Sequence, residues 1–219
     1  MLEEKLIHLN KELILYATLV EGTIDKSIQG LLQRDRNLLT TVIDFDEKRV
    51  NEYDSLLDEM CTNIIAQYEP KAKDLRTVLM IYSINKDLER MSDHAVNIAE
   101  SGLFLLTKPS LKPLIDIPRM AEMTRKMLKD SITAFISEEA ALAKNVCRRD
   151  NDVDSLWEQI FRELVTFMIS DSTTIERALH LIRISHNLER IADLSTNLCE
   201  DVIFIVEGKV IKHRHLDNN

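Results

Sequence analysis

A stretch of the chain that begins at Leu88 occurs again from Leu188. Aligned without a gap, the two copies share Leu, Glu, Arg, Asp, Asn and Glu at matched positions as far as Glu100 and Glu200. Chance identity over a window of this length gives roughly one match at ordinary residue usage. The chain therefore contains an internal duplication, and its two halves are expected to share one fold.

Each copy of the repeated stretch places its polar groups on one side of a helix. At about 100° per residue, the acids and the asparagine of each copy fall on one narrow stripe, opposite the apolar side chains. We expect this oxygen-rich stripe to face away from the local core, on an outer face. Its members are Glu89, Asp93, Asn97 and Glu100 in the first copy and Glu189, Asp193, Asn197 and Glu200 in the second.

Two interpretations of these stripes remain open. A charged stripe opposite an apolar one is typical of any solvated surface helix. Stability alone, however, would favour Lys or Arg four residues after Glu89 and Glu189, because such pairs attract. The chain places Asp93 and Asp193 there, and these acids repel the glutamates. Stacked carboxylates with an amide nearby suit hard cations, or iron and manganese, which neutralise the repulsion.

A second acidic pattern, acid-x-x-Val-Asn/Asp, also occurs in both halves. It begins at Glu47 in the first half and at Asp150 in the second, where it ends at Asp154. In an antiparallel bundle these acids could lie beside the stripe of the next helix and complete an oxygen cage. Ordinary surface acids are the alternative. His186 falls on its stripe, whereas His94 falls off its stripe and is expected to be a surface histidine.

Composition and periodicity predict an all-α fold. Gly and Pro number only four each, and charged residues make up 30% of the chain, a composition typical of helices. A three-four spacing of apolar residues predicts six long helices, and three such helices joined by short turns make an up-down-up bundle. We place the breaks at 34–37, at Pro70, across 109–118, at 137–139 with Ser137 as an N-cap, and at 170–174, with a frayed tail over 209–219.

Charge and hydropathy exclude several classes of protein. The formal charge of −9 argues against a general nucleic-acid binder. We see no signal peptide and no apolar run near the roughly 20 residues that span a bilayer, so we expect a cytoplasmic protein. Cys61, Cys147 and Cys199 are far apart in sequence. They are expected to be reduced and not to form a zinc site.

Together these motifs resemble the PhoU family. The resemblance rests on the two Leu-Glu-Arg-x-x-Asp stretches, the two acid-x-x-Val-Asn/Asp patterns, the segment 70–76 and the turn 170–172, and it covers roughly residues 5 to 210. The family comprises accessory regulators of the bacterial high-affinity phosphate transport system. The resemblance implies two homologous three-helix bundles side by side, over residues 1–110 and 111–219.

The resemblance also implies multinuclear metal clusters, with iron as the expected metal and zinc, manganese or magnesium as alternatives. One departure from the pattern lies at Asn51, where the second half has Asp154, so the first cluster is expected to be weaker or to hold fewer metals. The implied ligands are Glu89, Asp93, Asn97, Glu100 and Glu47 in the first half, and Glu189, Asp193, Asn197, Glu200, Asp150 and Asp154 in the second.

The function implied by the resemblance is regulation, not catalysis. Members are similar to adaptors that act as negative regulators between the ATPase subunit of the phosphate ABC transporter and a phosphate-sensing histidine kinase. A homodimer that reaches the membrane only through its partners is expected. Two alternatives stay open: a carboxylate-bridged multimetal enzyme and a metal-free helical scaffold. Di-iron enzymes of helical bundles use inward-pointing Glu-x-x-His motifs, and neither repeated stretch contains one.

Overall fold

The structure is a computed structural model that describes residues 1–207; the tail predicted to fray, over 209–219, lies outside the described residues. All regular structure in the described range is helical, so the predicted all-α fold is confirmed. Within that range, no helix is both long enough and apolar enough to cross a membrane. The helices are α1 (Leu2–Gln33), α2 (Arg36–Thr41), a π-helical turn (Val42–Asp46), α3 (Glu47–Tyr68), α4 (Lys73–Leu106), α5 (Asp116–Ser137), α6 (Ala140–Ser170), a 3-10 turn (Ser172–Thr174) and α7 (Ile175–Glu207).

Each half of the chain forms a three-helix bundle, and the two bundles lie side by side. α1, α3 and α4 pack together in the first repeat, α5, α6 and α7 pack together in the second, and α4 lies against α7. His94 of α4 donates a hydrogen bond to Asn187 of α7 (2.8 Å), and the Phe104 ring stacks on His180 with centroids 3.9 Å apart. Residue numbers rise along α4 as they fall along α7, so these two helices run antiparallel.

The second helix of the first repeat contains one residue more than its counterpart. Arg34 and Glu138, which end α1 and α5, both have left-handed backbone, with φ of 54° and 53°. Counted from these residues, Glu47 comes one position later than Asp150, its partner in the repeat. The π-helical turn at Val42–Asp46 takes up the extra residue, since π turns occur mostly as single turns inside α-helices. α2, this turn and α3 thus act as one helix.

Leu39 of α2 packs into a space left by two glycines. A Cβ added to Gly30 of α1 would lie 2.6 Å from Leu39 Cδ2, and one added to Gly102 of α4 would lie 3.0 Å from Leu39 Cδ1. Leu39 is completely buried in a small apolar cluster beside the main core. It therefore anchors α2 on α1 and α4 and fixes where α3 begins.

The break between α5 and α6 differs from the prediction in one detail. Ser137 is not an N-cap, because its hydroxyl donates a hydrogen bond back to the carbonyl of Thr133 in α5 (2.7 Å). The left-handed backbone of Glu138 makes the turn instead, and Glu139 precedes α6. Asp171, in the predicted capping turn before α7, does accept the backbone N–H of Thr173 (2.9 Å).

Candidate metal centre

The second repeat brings three carboxylates together between α6 and α7. Asp150 and Asp154 lie one turn apart on α6, and Asp193 faces them from α7. One oxygen of each lies within 4.8 Å of the others. Across residues 1–207, this is the single group of three or more His, Cys, Asp or Glu side chains that meets this distance. The antiparallel packing of α6 on α7 therefore joins the two acidic patterns, as the sequence predicts for this half.

Two glutamates extend the electrostatics of this group. Burial, followed by the charges of Asp154 and Asp193, raises the pKa of Asp150 to about 7, and Glu189 and Glu200 raise it further. Burial and the charge of Asp193 likewise raise the pKa of Glu189 to about 7. Near neutral pH the carboxylates of this cluster therefore bind protons, repel one another as anions or bind a cation.

Two oxygens of the cluster are buried without a hydrogen-bond donor among the described residues. They are Asp150 Oδ1 and Glu189 Oε2. His186 Nδ1 lies 3.2 Å from Glu189 Oε2, but the two atoms do not meet the angular requirements of a hydrogen bond. Leaving a carboxylate oxygen unpaired in this way costs free energy. A bound cation would give such an oxygen a partner, and an all-oxygen donor set suits magnesium or manganese.

We call the acidic surface between α6 and α7 the second groove. The equivalent first groove lies between α3 and α4 of the first repeat, and different residues surround it. Burial, then the charges of Asp93 and Asp54, raise the pKa of Glu89. Tyr16 of α1 lies under this groove, and its buried hydroxyl has no hydrogen-bond partner among the described residues. Burial and then the charges of Asp54, Glu89 and Asp93 raise the pKa of that tyrosine.

Asp54 is a member of the first groove that we did not predict. With Asp58 it accepts hydrogen bonds from Lys86 Nζ, at 3.0 and 2.7 Å, and from Asn85 Nδ2, at 2.9 Å each. The signal was present in the sequence, because Asp54 and Asp58 continue the stripe that begins at Glu47 with helical three-four spacing. Their counterparts in the second repeat are Trp157 and Phe161, so a search for matched acids could not find them.

We had expected both stripes to face outward along their whole length, and this expectation is wrong. Glu89, Glu189, Asp193 and Asp150 are half-buried in the two grooves, because the neighbouring helix lies beside the stripe. Asn97, Glu47 and Glu200 are also half-buried, whereas Asp93, Asp154, Glu100 and Asn197 are exposed.

Part of the first stripe contacts the other repeat. Arg183 of α7 donates hydrogen bonds to Asn97 Oδ1 (2.6 Å) and to Glu100 (3.1 Å). One oxygen of each side chain therefore already has a hydrogen-bond donor. His94 is not the surface histidine that we expected, because it is half-buried and bonded to Asn187 between the repeats. Burial lowers its pKa.

This arrangement defines a class of protein: a duplicated pair of three-helix bundles with one acidic groove in each repeat. A family model described as "PhoU domain" matches the chain twice, over residues 13–102 and 117–202. The chain belongs to the PhoU family. The two matches confirm the duplication, whereas the boundary after residue 110, which lies between them, stays a prediction.

Individual relatives are similar over nearly the whole chain. A "phosphate-specific transport system accessory protein PhoU homolog" of Aquifex aeolicus is 38% identical and covers 94% of this chain and 93% of its own. A homolog of the same description from Deinococcus radiodurans is 36% identical over 86% and 88%. The crystal structure of PhoU from Pseudomonas aeruginosa matches with a TM-score of 0.91 at 30% identity and covers 95% of this chain and all of that one.

Proposed function

We propose that this protein is a metal-binding regulatory adaptor of bacterial phosphate uptake. In this role it is a negative regulator that acts between the ATPase subunit of the phosphate ABC transporter and a phosphate-sensing histidine kinase, as a cytoplasmic homodimer without enzymatic activity. The names of its relatives support the connection with phosphate transport, since they describe accessory proteins of a phosphate-specific transport system. One observation carries the metal-binding part: Asp150, Asp154 and Asp193 place oxygens within 4.8 Å of one another.

The second groove supplies the better set of ligands. Asp150, Asp154 and Asp193 would hold the cation, with Glu189 and Glu200 beside them. Carboxylate oxygens suit manganese and magnesium, and the family resemblance adds iron as the expected metal and zinc as an alternative. Glu89 and Asp93 would hold a cation in the first groove, where Lys86 already occupies Asp54 and Asp58.

A bound cation would change what each groove attracts. Without metal the grooves present carboxylates, which repel acidic partners. With metal the negative charge of the groove is reduced, and open coordination positions accept carboxylate or phosphate oxygens. Metal occupancy thereby sets the affinity for a partner protein, which is how an adaptor without catalytic groups can regulate.

Elemental analysis tests the metal-binding part. The full chain is purified without chelator and without a metal-affinity tag, beside an Asp150→Asn/Asp193→Asn variant. An Asp152→Asn variant is the matched control, since Asp152 is an exposed acid on the same helix as Asp150. We expect at least one equivalent of iron or manganese in the native protein and in the control, and a loss of metal in the double variant. Native protein that neither contains nor takes up metal would contradict the proposal.

The adaptor part needs a partner assay. Immobilised protein, loaded with Mn²⁺ or stripped with chelator, is mixed with the purified ATPase subunit of the phosphate transporter and separately with the cytoplasmic part of the histidine kinase. We expect metal-dependent capture of at least one of them. Equal capture with and without metal would favour the metal-free scaffold, and no capture would contradict the adaptor.

A further inference from the structure

Two cysteines that are distant in sequence lie close together in the second repeat. Cys147 Sγ on α6 lies 4.0 Å from the carbonyl oxygen of Thr196, which is three residues before Cys199 on α7. Each of the two thiols also shifts the pKa of the other. The antiparallel packing of α6 and α7 brings these two positions together.

Small side chains let the two helices approach closely at this point. Ala143 lies one turn before Cys147 on α6, and Ala192 and Ser195 lie before Cys199 on α7; all three are completely buried. A sulfur that reaches a backbone oxygen of the next helix indicates a short separation between the backbones. A disulfide needs such a separation, with Cα atoms about 4.4–6.8 Å apart.

The three cysteines differ in access and in partner. Cys147 is half-buried and reachable from solvent, whereas Cys199 is fully buried behind it. Cys147 is therefore the thiol of this pair that an oxidant in solution meets first. Cys61 of α3 is buried, and its thiol donates to the carbonyl of Val78 (3.8 Å). Burial raises the pKa of Cys61 to about 12.

We propose that Cys147 and Cys199 are a redox-sensitive modification site that forms an intrachain disulfide when the protein meets a peroxide. The Cys147 thiolate attacks one oxygen of hydrogen peroxide, the O–O bond breaks, and a sulfenic acid forms while the departing hydroxide takes a proton to become water. The sulfur of Cys199 then attacks the Cys147 sulfur. The S–O bond breaks, and the hydroxyl leaves as water with the proton of Cys199. The two thiols lose two electrons, and one peroxide is reduced to two waters.

This disulfide would join α6 to α7 beside the acidic groove. Cys147 lies three residues before Asp150, and Cys199 directly precedes Glu200. The test uses chelator-treated protein, so its result does not depend on the proposed metal site.

Thiol counting and peptide mapping test the proposal. Reduced, chelator-treated full-length protein is mixed with a small excess of hydrogen peroxide, and its free thiols are labelled with a maleimide. Of the three thiols in the chain, we expect two to be lost and to return with dithiothreitol. A non-reducing digest should contain the peptides of Cys147 and Cys199 joined together.

Two variants make the assignment specific. Cys61→Ala should lose the same two thiols as the native protein. Cys199→Ala should form no crosslink and should instead give a sulfenic acid at Cys147 that dimedone traps. Three persistent thiols in the native protein, loss of Cys61 instead, or crosslinks only between chains would overturn the proposal. The peptide map of the native protein gives this result even where a variant does not fold.

Discussion

The acidic grooves of the two repeats occupy equivalent places, yet different cationic side chains pair with their acids. In the first groove, Lys86 Nζ lies 3.0 Å from Asp54 and 2.7 Å from Asp58. In the second, the counterpart of Lys86 is His186, whose ring is exposed and lies 6.2 Å from that of Trp157. A lysine ammonium carries a charge at neutral pH, and no lysine or arginine stands at the matched position of the second repeat.

The difference shows how a duplicated site can diverge without a change of fold. In the first groove Lys86 pairs with Asp54 and Asp58. In the second, the exposed Arg190 pairs with Asp193 (2.7 Å), and no cation among the described residues pairs with Asp150, which its acidic neighbours repel. Without metal, that repulsion lowers the free energy of unfolding. A bound cation relieves the repulsion, which favours metal binding. The second groove should therefore bind metal first and most tightly.

The largest expected effect distinguishes the two grooves directly. Asp193→Asn removes a carboxylate from the closest group of three, and we expect the tightest Mn²⁺ site to weaken by at least about 100-fold. Asp93→Asn changes the matched position of the first repeat and should leave that tightest site unaltered. Calorimetric titration of chelator-treated protein measures both. Equal losses in the two variants would mean that the grooves do not differ as argued.

A second contrast between the repeats concerns packing. Leu39 fills the space beside Gly30 and Gly102, whereas the corresponding positions of the second repeat hold Ala143, Ala134 and Val202, all buried. The second repeat thus has a smaller side chain in place of the leucine and larger side chains in place of the two glycines. We expect Gly30→Ala to lower the free energy of unfolding by about 2 kcal/mol, because its Cβ would meet Leu39 at 2.6 Å in a packed interior.

Urea denaturation measures this effect. Gly22→Ala is the control, since nothing lies within 4 Å of its added Cβ, and it should stabilise α1 by about 0.5–1 kcal/mol. In a Leu39→Ala background the cost of Gly30→Ala should shrink, because the clash is gone. An unchanged cost in that background would show that the strain has another source.

Sequence alone predicts most of the fold and about half of the site. The duplication, the helix periodicity and the proline breaks are local signals, and they locate the six long helices. The pairing of Asp150 with Asp193 follows from matched patterns on neighbouring antiparallel helices. The wheel of a single helix could not show that α3 and α6 lie beside the stripes and half-bury them, nor that Arg183 crosses from the other repeat to Asn97. Such contacts depend on packing between helices that are distant in sequence.

Lys86 gives the next largest effect, and it tests the first groove alone. We expect Lys86→Gln to raise the Mn²⁺ affinity of that groove about tenfold, since one unit charge near the carboxylates is removed. The measurement uses an Asp193→Asn background, in which the second groove is weak. Lys48→Gln, an exposed lysine of α3, is the control and should change little. A decrease in affinity would show that Lys86 orders the acids rather than competing with the metal.

The smallest effect is a pH dependence of metal-free stability. The folded protein holds the pKa of Asp150 at about 7, above the unfolded value of about 3.9. Between these values the folded state binds more protons than the unfolded state, so this group's contribution to the free energy of unfolding falls as pH rises from about 4 to about 7. Asp150→Asn removes this dependence. Without metal, the variant should therefore be more stable than the native protein by about 1 kcal/mol at pH 8, after allowance for partial exposure, and no more stable at pH 5.

Urea denaturation of chelator-treated protein at the two pH values provides the measurement, with Asp152→Asn expected to follow the native protein at both. Saturating Mn²⁺ at pH 8 should reverse the order, because a ligand that binds only the folded state stabilises the protein that binds it more tightly. If the native protein stays less stable than Asp150→Asn in saturating Mn²⁺, the carboxylates of the second groove do not form a cation site. The contrast between the two grooves would then be one of electrostatic strain alone.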